Sequence, residues 1–282
     1  MSKAASDPQR VVDEKGRLEA ADLRRGIEEM ELVVHYQPKL VRERESWQIR
    51  GAEALVRWQH PRFGLVYPGQ FLPLAEGNDM IAAITDFVLS DAVRQVGVWR
   101  GYGHDLGVAV NLSPGLVRDI GFPDRLTRLL HEYDVPPELL TIEVTEASSL
   151  HDVELVTDVF TRLRVKGIAL SLDDFGTGTS SITQLYRMPF TEVKIDRTLV
   201  SELPHTQAAA TVVRAIVELA HRLSLTVCAE GIETAEQLHF MDEAGCEALQ
   251  GRFISRPVPA AELEALAKAW AGGYPTGVPA AS

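Results

Sequence analysis

The chain has 282 residues, a formal net charge of −12 and 45% hydrophobic residues, so it can bury a large core. The negative charge, with no basic stripe to offset it, argues against binding along a nucleic-acid polymer. No apolar run is long enough to span a bilayer and the polar N-terminus lacks a signal-peptide pattern. We therefore expect a soluble, intracellular protein without membrane insertion.

The chain is predicted to form one folded domain with loose ends. Residues 1–17 are polar and predict a flexible N-terminal tail or the remnant of a linker. The folded domain is expected over residues 18–271, and residues 272–282 are expected to be a frayed C-terminal tail. Cys228 and Cys246 lie in or beside strand-like runs without metal-ligand spacing, which favours buried free thiols.

Helical and extended patterns alternate along the folded part. The first predicted elements are a helix over residues 20–30, a strand over 32–36 closed by Pro38, a strand over 49–56, helices over 68–74 and 80–99, a strand over 107–110, and a helix starting near Pro123. Strand and helix then pair as 140–144 with 153–165, 168–172 with 181–186, 192–195 with 208–223, 226–229 with 235–244, and 248–254 with 260–271. Eight strands in an α/β chain of this length predict a (β/α)8 barrel.

Polar residues stand where the short apolar runs end, roughly 20 to 60 residues apart, as strand-plus-helix units would place them. The residues in question are Glu53, Asn111, Glu143, Asp173, Asp174, Lys194, Glu230 and Gln250. In a barrel of parallel strands the C-terminal strand ends meet at one face, so these side chains are expected to form a single site. Burying several carboxylates together is costly unless cations neutralise them, which favours metal ions.

Each of these residues also has a structural alternative. The run from Asp173 to Gly178 could be a strand followed by a glycine-rich turn, and Glu230 could be an acidic helix start. Lys194 could be an edge-strand charge, Asn111 could cap a turn, and Glu53 could face solvent. We favour the functional interpretation because the alternatives would have to hold at every strand end.

Several ordered sequence blocks carry a family resemblance. The run Glu53-Ala54-Leu55-Val56-Arg57-Trp58 resembles the signature of the EAL domain, a phosphodiesterase that linearises bacterial cyclic di-GMP. Further similar blocks follow in order: Tyr36 to Pro38, Phe71 to Glu76, Val110 to Ser113, Ile142 to Glu146, Asp173 to Gly178, Lys194 to Arg197, Ala229 to Thr234, and Gln250 to Gly251 with Ser255 to Pro257. The resemblance covers about residues 18–271.

The resemblance implies a modified TIM-like (β/α)8 barrel whose first strand runs antiparallel to the others. It also implies two divalent cations, Mg2+ or Mn2+, which prefer hard oxygen ligands. Carried over by position, the ligands of the first cation would be Glu53, Asn111, Glu143 and Asp173. Asp173 would bridge to the second cation, which Asp174 and Glu230 would help to hold.

The same resemblance implies roles for the catalytic residues, which are Glu53, Lys194 and Glu230. Lys194 would orient the attacking water or stabilise developing charge, and Glu230 would accept a proton. Substrate contacts are expected from Arg57, which would grip a phosphate, and from Gln250 and Gln37. Glu233 would support the second cation from an outer shell, and Glu146 would brace the loop after Asp174.

The implied function is hydrolysis of cyclic di-GMP to linear pGpG in the bacterial cytoplasm, which would favour motility over biofilm. A catalytically silent cyclic di-GMP receptor or scaffold is the first alternative, and another metal-dependent barrel enzyme is the second. A homodimer is expected through the loop after Asp174, as in family members. Two residues depart from the family pattern: Thr179 and Arg252 stand where aromatic residues are usual.

Overall fold

The computed structural model describes residues 18–44, 46–145, 152–176 and 182–270. The strands are β1 Leu32–Glu43, β2 Ser46–His60, β3 Gly64–Val66, β4 Gly107–Asn111, β5 Leu140–Thr145, β6 Ala169–Phe175, β7 Glu192–Ile195, β8 Thr226–Ala229 and β9 Ala248–Leu249. The helices are α1 Ala20–Glu28, α2 Pro68–Glu76, α3 Ile81–Gly101, α4 Pro114–Val117, α5 Phe122–Glu132, α6 Val153–Val165, α7 Ile182–Arg187, α8 Arg197–Ser201, α9 Gln207–Arg222, α10 Ala235–Ala244 and α11 Ala260–Ala269. One 3-10 turn, Pro137–Leu139, precedes β5.

Eight of these strands close into a barrel. Hydrogen-bonded neighbours follow the order β1-β9-β8-β7-β6-β5-β4-β2, and β1 pairs with β2 to complete the ring. Strand β1 is antiparallel to both of its neighbours, while the remaining barrel pairs are parallel. The expected α/β TIM-like (β/α)8 barrel with a reversed first strand is therefore confirmed.

Several details of the strand predictions were wrong, including the bounds of β2, predicted over 49–56, and of β6, predicted over 168–172. Strand β1 does not end at Pro38 but continues to Glu43. The Tyr36 N–H donates to the Val258 carbonyl, on the side of β1 away from β2. The Pro38 nitrogen, two residues later, faces that same side, at a point between the bridge from Tyr36 to Val258 and the pairing of Leu40 with Leu249. Its missing N–H therefore interrupts no ladder there. Strand β9 ends at Leu249, and the short strand β3 on the outer edge of β2 was not predicted.

The core lies between the barrel wall and its surrounding helices. Along β1, residues that alternate outwards are buried under helices, as where the Tyr36 ring meets the Trp99 ring of α3 edge-on at 5.1 Å. Trp58 of β2 is fully buried, and its indole N–H donates to Glu31 over 2.8 Å. The inward faces of the strands are left free for polar side chains.

Two further sequence predictions concern the thiols and the membrane. Cys228 and Cys246 are both buried free cysteines, as predicted. No helix within the described residues is long and apolar enough to cross a membrane. The two predicted tails, together with Glu146 and Thr179, lie outside the described residues.

Candidate metal centre and active site

Lys194 lies at the centre of the acidic cluster inside the barrel. Its Nζ is 2.5 Å from Glu230, 2.9 Å from Glu143, 3.3 Å from Asp173 and 3.6 Å from Glu53. Burial alone would lower the pKa of Lys194, but the surrounding carboxylates, Glu143 first, raise it well above its usual value. The strand ends thus bring together residues that are far apart in sequence, as predicted.

Glu143 is the most completely buried carboxylate of the cluster, with 1% exposure. Among the described residues, neither of its carboxylate oxygens accepts a hydrogen bond of regular geometry, although Lys194 is close. Burial and the charges of Glu53, Asp173 and Glu230 raise its pKa well above the ordinary value. Buried carboxylate oxygens that share one lysine with three other carboxylates can still accept a cation.

Glu53 is held by amide groups on both sides. Its Oε1 accepts from Asn111 Nδ2 over 2.7 Å, and its Oε2 accepts from Gln250 Nε2 over 2.7 Å. Gln250 also donates to Gln37 Oε1 over 3.1 Å. Although burial raises the pKa of Glu53, Lys194 and these hydrogen bonds outweigh burial and lower it. Glu53 therefore stays ionised, as a cation ligand must.

A second acidic group forms where β6 and β8 end. Ligand atoms of Asp173, Asp174 and Glu230 all lie within 4.8 Å of one another. Asp174 adopts a left-handed backbone with φ 59°, and its N–H donates to Asp173 Oδ1 over 3.0 Å. Burial, followed by the charge of Asp173, raises the pKa of Asp174. Burial is also the main cause that raises the pKa of Glu230, to about 7.

The turn after β8 aims Glu230 into the site. Gly231 has φ +70°, and a Cβ at this position would lie 2.4 Å from Arg197 Cβ. After β9, a Cβ at Gly251 would overlap the Ile232 carbonyl oxygen. Gly231 therefore lets the loop after β8 approach the start of α8, and Gly251 lets the loop after β9 contact the loop after β8, where the Ile232 N–H donates to the Gln250 carbonyl.

The remaining predicted site residues lie around the rim. Glu233 is exposed and forms an ion pair with Arg252, the residue that replaces the usual aromatic. The Glu233 N–H also donates to Gln237 Oε1 over 2.7 Å. Arg57 lies on the inward face of β2 and is 4% exposed. The metal support expected from Glu233 and the phosphate contact expected from Arg57 stay predictions.

The sequence analysis missed a second charged layer inside the barrel. Lys39 Nζ of β1 lies 2.5 Å from Glu192 Oε2 of β7, and Ser171 Oγ donates to Glu192 Oε1 over 2.9 Å. Burial lowers the pKa of Lys39, but the charge of Glu192 outweighs it and raises the pKa. The sequence carried a signal for this layer, because residues two apart on a strand face the same side. Lys39 follows Gln37 by two residues and Glu192 precedes Lys194 by two, so both share the inward face with a predicted site residue.

The donor set fits divalent cations. The cluster offers carboxylate and amide oxygens. Among the described residues, both oxygens of Glu143 are buried without a hydrogen bond of regular geometry, and four carboxylates surround one lysine. Hard cations such as Mg2+ and Mn2+ prefer these ligands. The acidic group of Asp173, Asp174 and Glu230 could hold a metal ion.

Fold and site together define an α/β-barrel protein with an acidic, metal-competent centre at the C-terminal ends of its parallel strands. The family model described as EAL domain matches residues 20–257, and the chain belongs to the EAL domain family. The resemblance seen in the sequence blocks is thereby confirmed.

Relatives of known sequence and structure agree with this assignment. The Pseudomonas aeruginosa bifunctional diguanylate cyclase/cyclic di-GMP phosphodiesterase MucR is 42% identical over 243 residues, which cover 86% of this chain and 35% of MucR. The Escherichia coli cyclic di-GMP phosphodiesterase PdeR is 37% identical over 245 residues, which cover 86% of this chain and 36% of PdeR. The chain thus spans about a third of the length of these curated relatives.

A solved structure of PaMucR phosphodiesterase in complex with c-di-GMP has a similar fold. Its TM-score is 0.80 at 42% sequence identity, and the match covers 86% of this chain and 98% of that one. The match therefore includes nearly the whole of that solved chain.

Proposed function

We propose that this chain is a metal-dependent phosphodiesterase that hydrolyses cyclic di-GMP to linear pGpG. The observation that carries the proposal is the cluster of four carboxylates around the single Lys194, with Glu143 buried and without a hydrogen bond of regular geometry among the described residues. An arrangement of this kind is costly unless cations bind to it. The relatives named as cyclic di-GMP phosphodiesterases supply the substrate class.

The cofactors are inferred to be two divalent cations, Mg2+ or Mn2+. The first would be held by Glu53, Asn111, Glu143 and Asp173, and the second by Asp173, Asp174 and Glu230. When bound, such a pair lowers the pKa of a coordinated water and neutralises charge on the phosphoryl group. The hydrogen bonds from Asn111 and Gln250 leave the Glu53 carboxylate fixed in orientation beforehand.

Two residues of the chain serve the proton transfer and the developing charge. Lys194 keeps its proton because its pKa is raised, so it can orient the attacking water and stabilise negative charge on phosphoryl oxygens. Glu230, whose carboxylate lies 2.5 Å from Lys194 Nζ, would accept a proton from that water.

Substrate contacts are assigned to the polar residues next to the cluster. Arg57 would grip a phosphate, because its guanidinium is buried and its Nε has no hydrogen-bond partner within the described ranges. Gln250 and Gln37 would contact the substrate or ordered water beside Glu53. Glu233 would support the second cation from outside.

The cellular setting is part of the same proposal. A phosphodiesterase that removes a bacterial second messenger would act in the cytoplasm, where its activity would favour motility over biofilm. A homodimer is proposed through the loop after Asp174, of which residues 177–181 lie outside the described part. In this proposal Glu146 would brace the loop after Asp174.

The decisive experiment is turnover of cyclic di-GMP by purified protein with Mg2+ or Mn2+, followed by chromatography. The wild type should form pGpG, and Glu53→Ala should abolish its formation because a cation ligand is lost. Glu132→Ala, an exposed glutamate at the end of α5, is the matched control and should be as active as the wild type. If no protein forms pGpG but the wild type binds the dinucleotide tightly, the receptor alternative replaces the enzyme.

A further inference from the structure

The mouth of the barrel carries an aromatic residue that the sequence analysis did not single out. Tyr67 directly follows β3, and β3 pairs with β2 so that Trp58 is opposite Val66 and Gln59 is opposite Leu65. Continuing this register places Tyr67 opposite Arg57. Directly opposed residues on neighbouring strands project to the same face of a sheet. Tyr67 therefore shares the inward face of β2 with Arg57 and Glu53.

The side chains of Tyr67 and Arg57 pack against each other. The Arg57 guanidinium carbon lies 5.3 Å from the centroid of the Tyr67 ring, within the range of a cation–π contact. Arg57 donates to the Val56 carbonyl over 2.8 Å, but its buried Nε has no hydrogen-bond partner in the described part of the chain. At 4% exposure, an incompletely paired guanidinium marks a built site for an anionic or strongly accepting ligand.

The backbone of Tyr67 is held firmly while its ring is open to solvent. The Tyr67 N–H donates to Gln70 Oε1 over 3.1 Å, and the Tyr67 carbonyl accepts from the Gln70 N–H over 2.9 Å. These bonds fix the start of α2. The side chain is nevertheless 41% exposed. One face of the ring is thus covered by Arg57 and part of the ring is left for a ligand.

The position of Tyr67 suits the outer part of a dinucleotide. Arg57 is four positions after Glu53, which corresponds to about 13 Å along β2. A phosphodiester at the acidic cluster would therefore leave room for a ribose and base to reach the mouth. Every nucleobase has a π-face that stacks on aromatic rings, and arginine pairs well with the acceptors of guanine.

We propose that Tyr67 is a substrate-specificity residue, whose ring holds the Arg57 guanidinium in place and stacks against one guanine base of cyclic di-GMP. This inference rests on the proposed function. It adds a base-binding subsite at the junction of β3 and α2 to the phosphate and metal contacts assigned above.

The test compares Tyr67→Leu, which removes the aromatic ring, with Tyr67→Phe, which keeps it. Binding of cyclic di-GMP is measured by calorimetry in chelator, where no turnover occurs, and steady-state kinetics are measured with Mn2+. For Tyr67→Leu we expect both Kd and KM to rise about tenfold, with little change in kcat, because stacking on one base is lost. Tyr67→Phe should match the wild type.

Two controls separate this subsite from general damage. Tyr102→Leu alters a tyrosine that is 70% exposed after the end of α3, and should change neither constant. Hydrolysis of bis(p-nitrophenyl) phosphate, a diester without a nucleobase, should fall much less in Tyr67→Leu than hydrolysis of cyclic di-GMP, because this diester loses only the support that the Tyr67 ring gives to Arg57. Equal melting temperatures confirm that the variants fold.

The outcomes that overturn the inference differ from those that overturn the proposed function. If Tyr67→Leu binds cyclic di-GMP within twofold of the wild type, or loses both diesters equally, base stacking at Tyr67 is refuted while the phosphodiesterase stands. If the wild type binds cyclic di-GMP without cleaving it and Tyr67→Leu weakens binding, the subsite is supported and the catalytic proposal fails. If the wild type neither binds nor cleaves, both proposals fail.

Discussion

Two charged layers inside one barrel have opposite balances of charge. In the lower layer, Lys39 faces Glu192, and both carboxylate oxygens of Glu192 have a partner in Lys39 or Ser171. In the upper layer, Lys194 is shared among four carboxylates, and neither oxygen of Glu143 accepts a regular hydrogen bond within the described residues. A balanced layer needs no ligand, whereas the unbalanced one is suited to cations.

The largest expected effect comes from removing one carboxylate charge from the upper layer. Glu143→Gln should reduce hydrolysis of cyclic di-GMP at least about a thousandfold, which corresponds to about 4 kcal/mol of lost transition-state stabilisation. Its melting temperature in chelator should stay the same or rise, because Lys194 keeps three carboxylates and a like charge is removed. Kinetics and thermal melts would check both parts. An active variant, or an unfolded one, would contradict the comparison.

Breaking the lower layer should damage stability instead of catalysis. Lys39→Met leaves Glu192 buried without its cation and should lower the free energy of unfolding by about 3–5 kcal/mol. Adding Glu192→Gln should recover much of that loss, because the uncompensated charge is gone. Lys166→Met, which breaks a surface pair with Asp124, is the control and should cost less than about 1 kcal/mol. Denaturant titrations would measure all three, and an equal cost for Lys39→Met and Lys166→Met would refute the assignment.

The stabilisation of the folded protein by added cations should also distinguish the two layers, with a smaller change in free energy. Saturating Mg2+ or Mn2+ should raise the melting temperature of the wild type, with about 2.7 kcal/mol of stabilisation at a hundred times Kd. Lys39→Met should gain a similar amount, because its upper layer is intact. Glu143→Gln should gain little. A melting temperature of the wild type that does not respond to either cation would count against the metal assignment.

The smallest expected effect is a dependence on pH without metal. The pKa of Glu230 is about 7 in the folded protein against 4.5 for a free glutamate, so the folded state holds an extra proton between these values. The contribution of Glu230 to stability in chelator should therefore fall as pH rises from about 4.5 to 7. Glu230→Gln should remove this contribution, which makes the slope of stability against pH less negative by up to one proton. Thermal melts of both proteins across this range would test it, and equal slopes for the wild type and Glu230→Gln would contradict the raised pKa.

Elements set by local signals were predictable from the sequence. Helices α6 and α10 begin and end at the predicted residues. For α10 the physical reason is clear, because Thr234 caps its start and Gly245 ends it with a left-handed backbone. Strand β3 and the continuation of β1 past Pro38 were not predictable, since they depend on partners elsewhere in the chain. The reversal of β1 came from the family resemblance, because strand direction leaves no trace in hydrophobic periodicity.

The same limit applies to the candidate site. Glu53, Glu143 and Lys194 were recognisable because a charge inside an apolar strand run is unusual. Lys39 in an alternating strand looks like a solvent-facing lysine, and its partner Glu192 is 153 residues away. The Arg57–Tyr67 contact was hidden for a similar reason, since it depends on the pairing of β3 with β2.

The reversed direction of β1 also determines where the preceding chain reaches the barrel. Leu32 pairs with Trp58 and Val33 pairs with Arg57, so β1 begins at the mouth and runs towards the base. In a barrel whose strands were all parallel, the first strand would start at the base. The segment before Leu32, which includes α1, therefore reaches the barrel beside Arg57, at the end where the acidic cluster lies, and not at the opposite end.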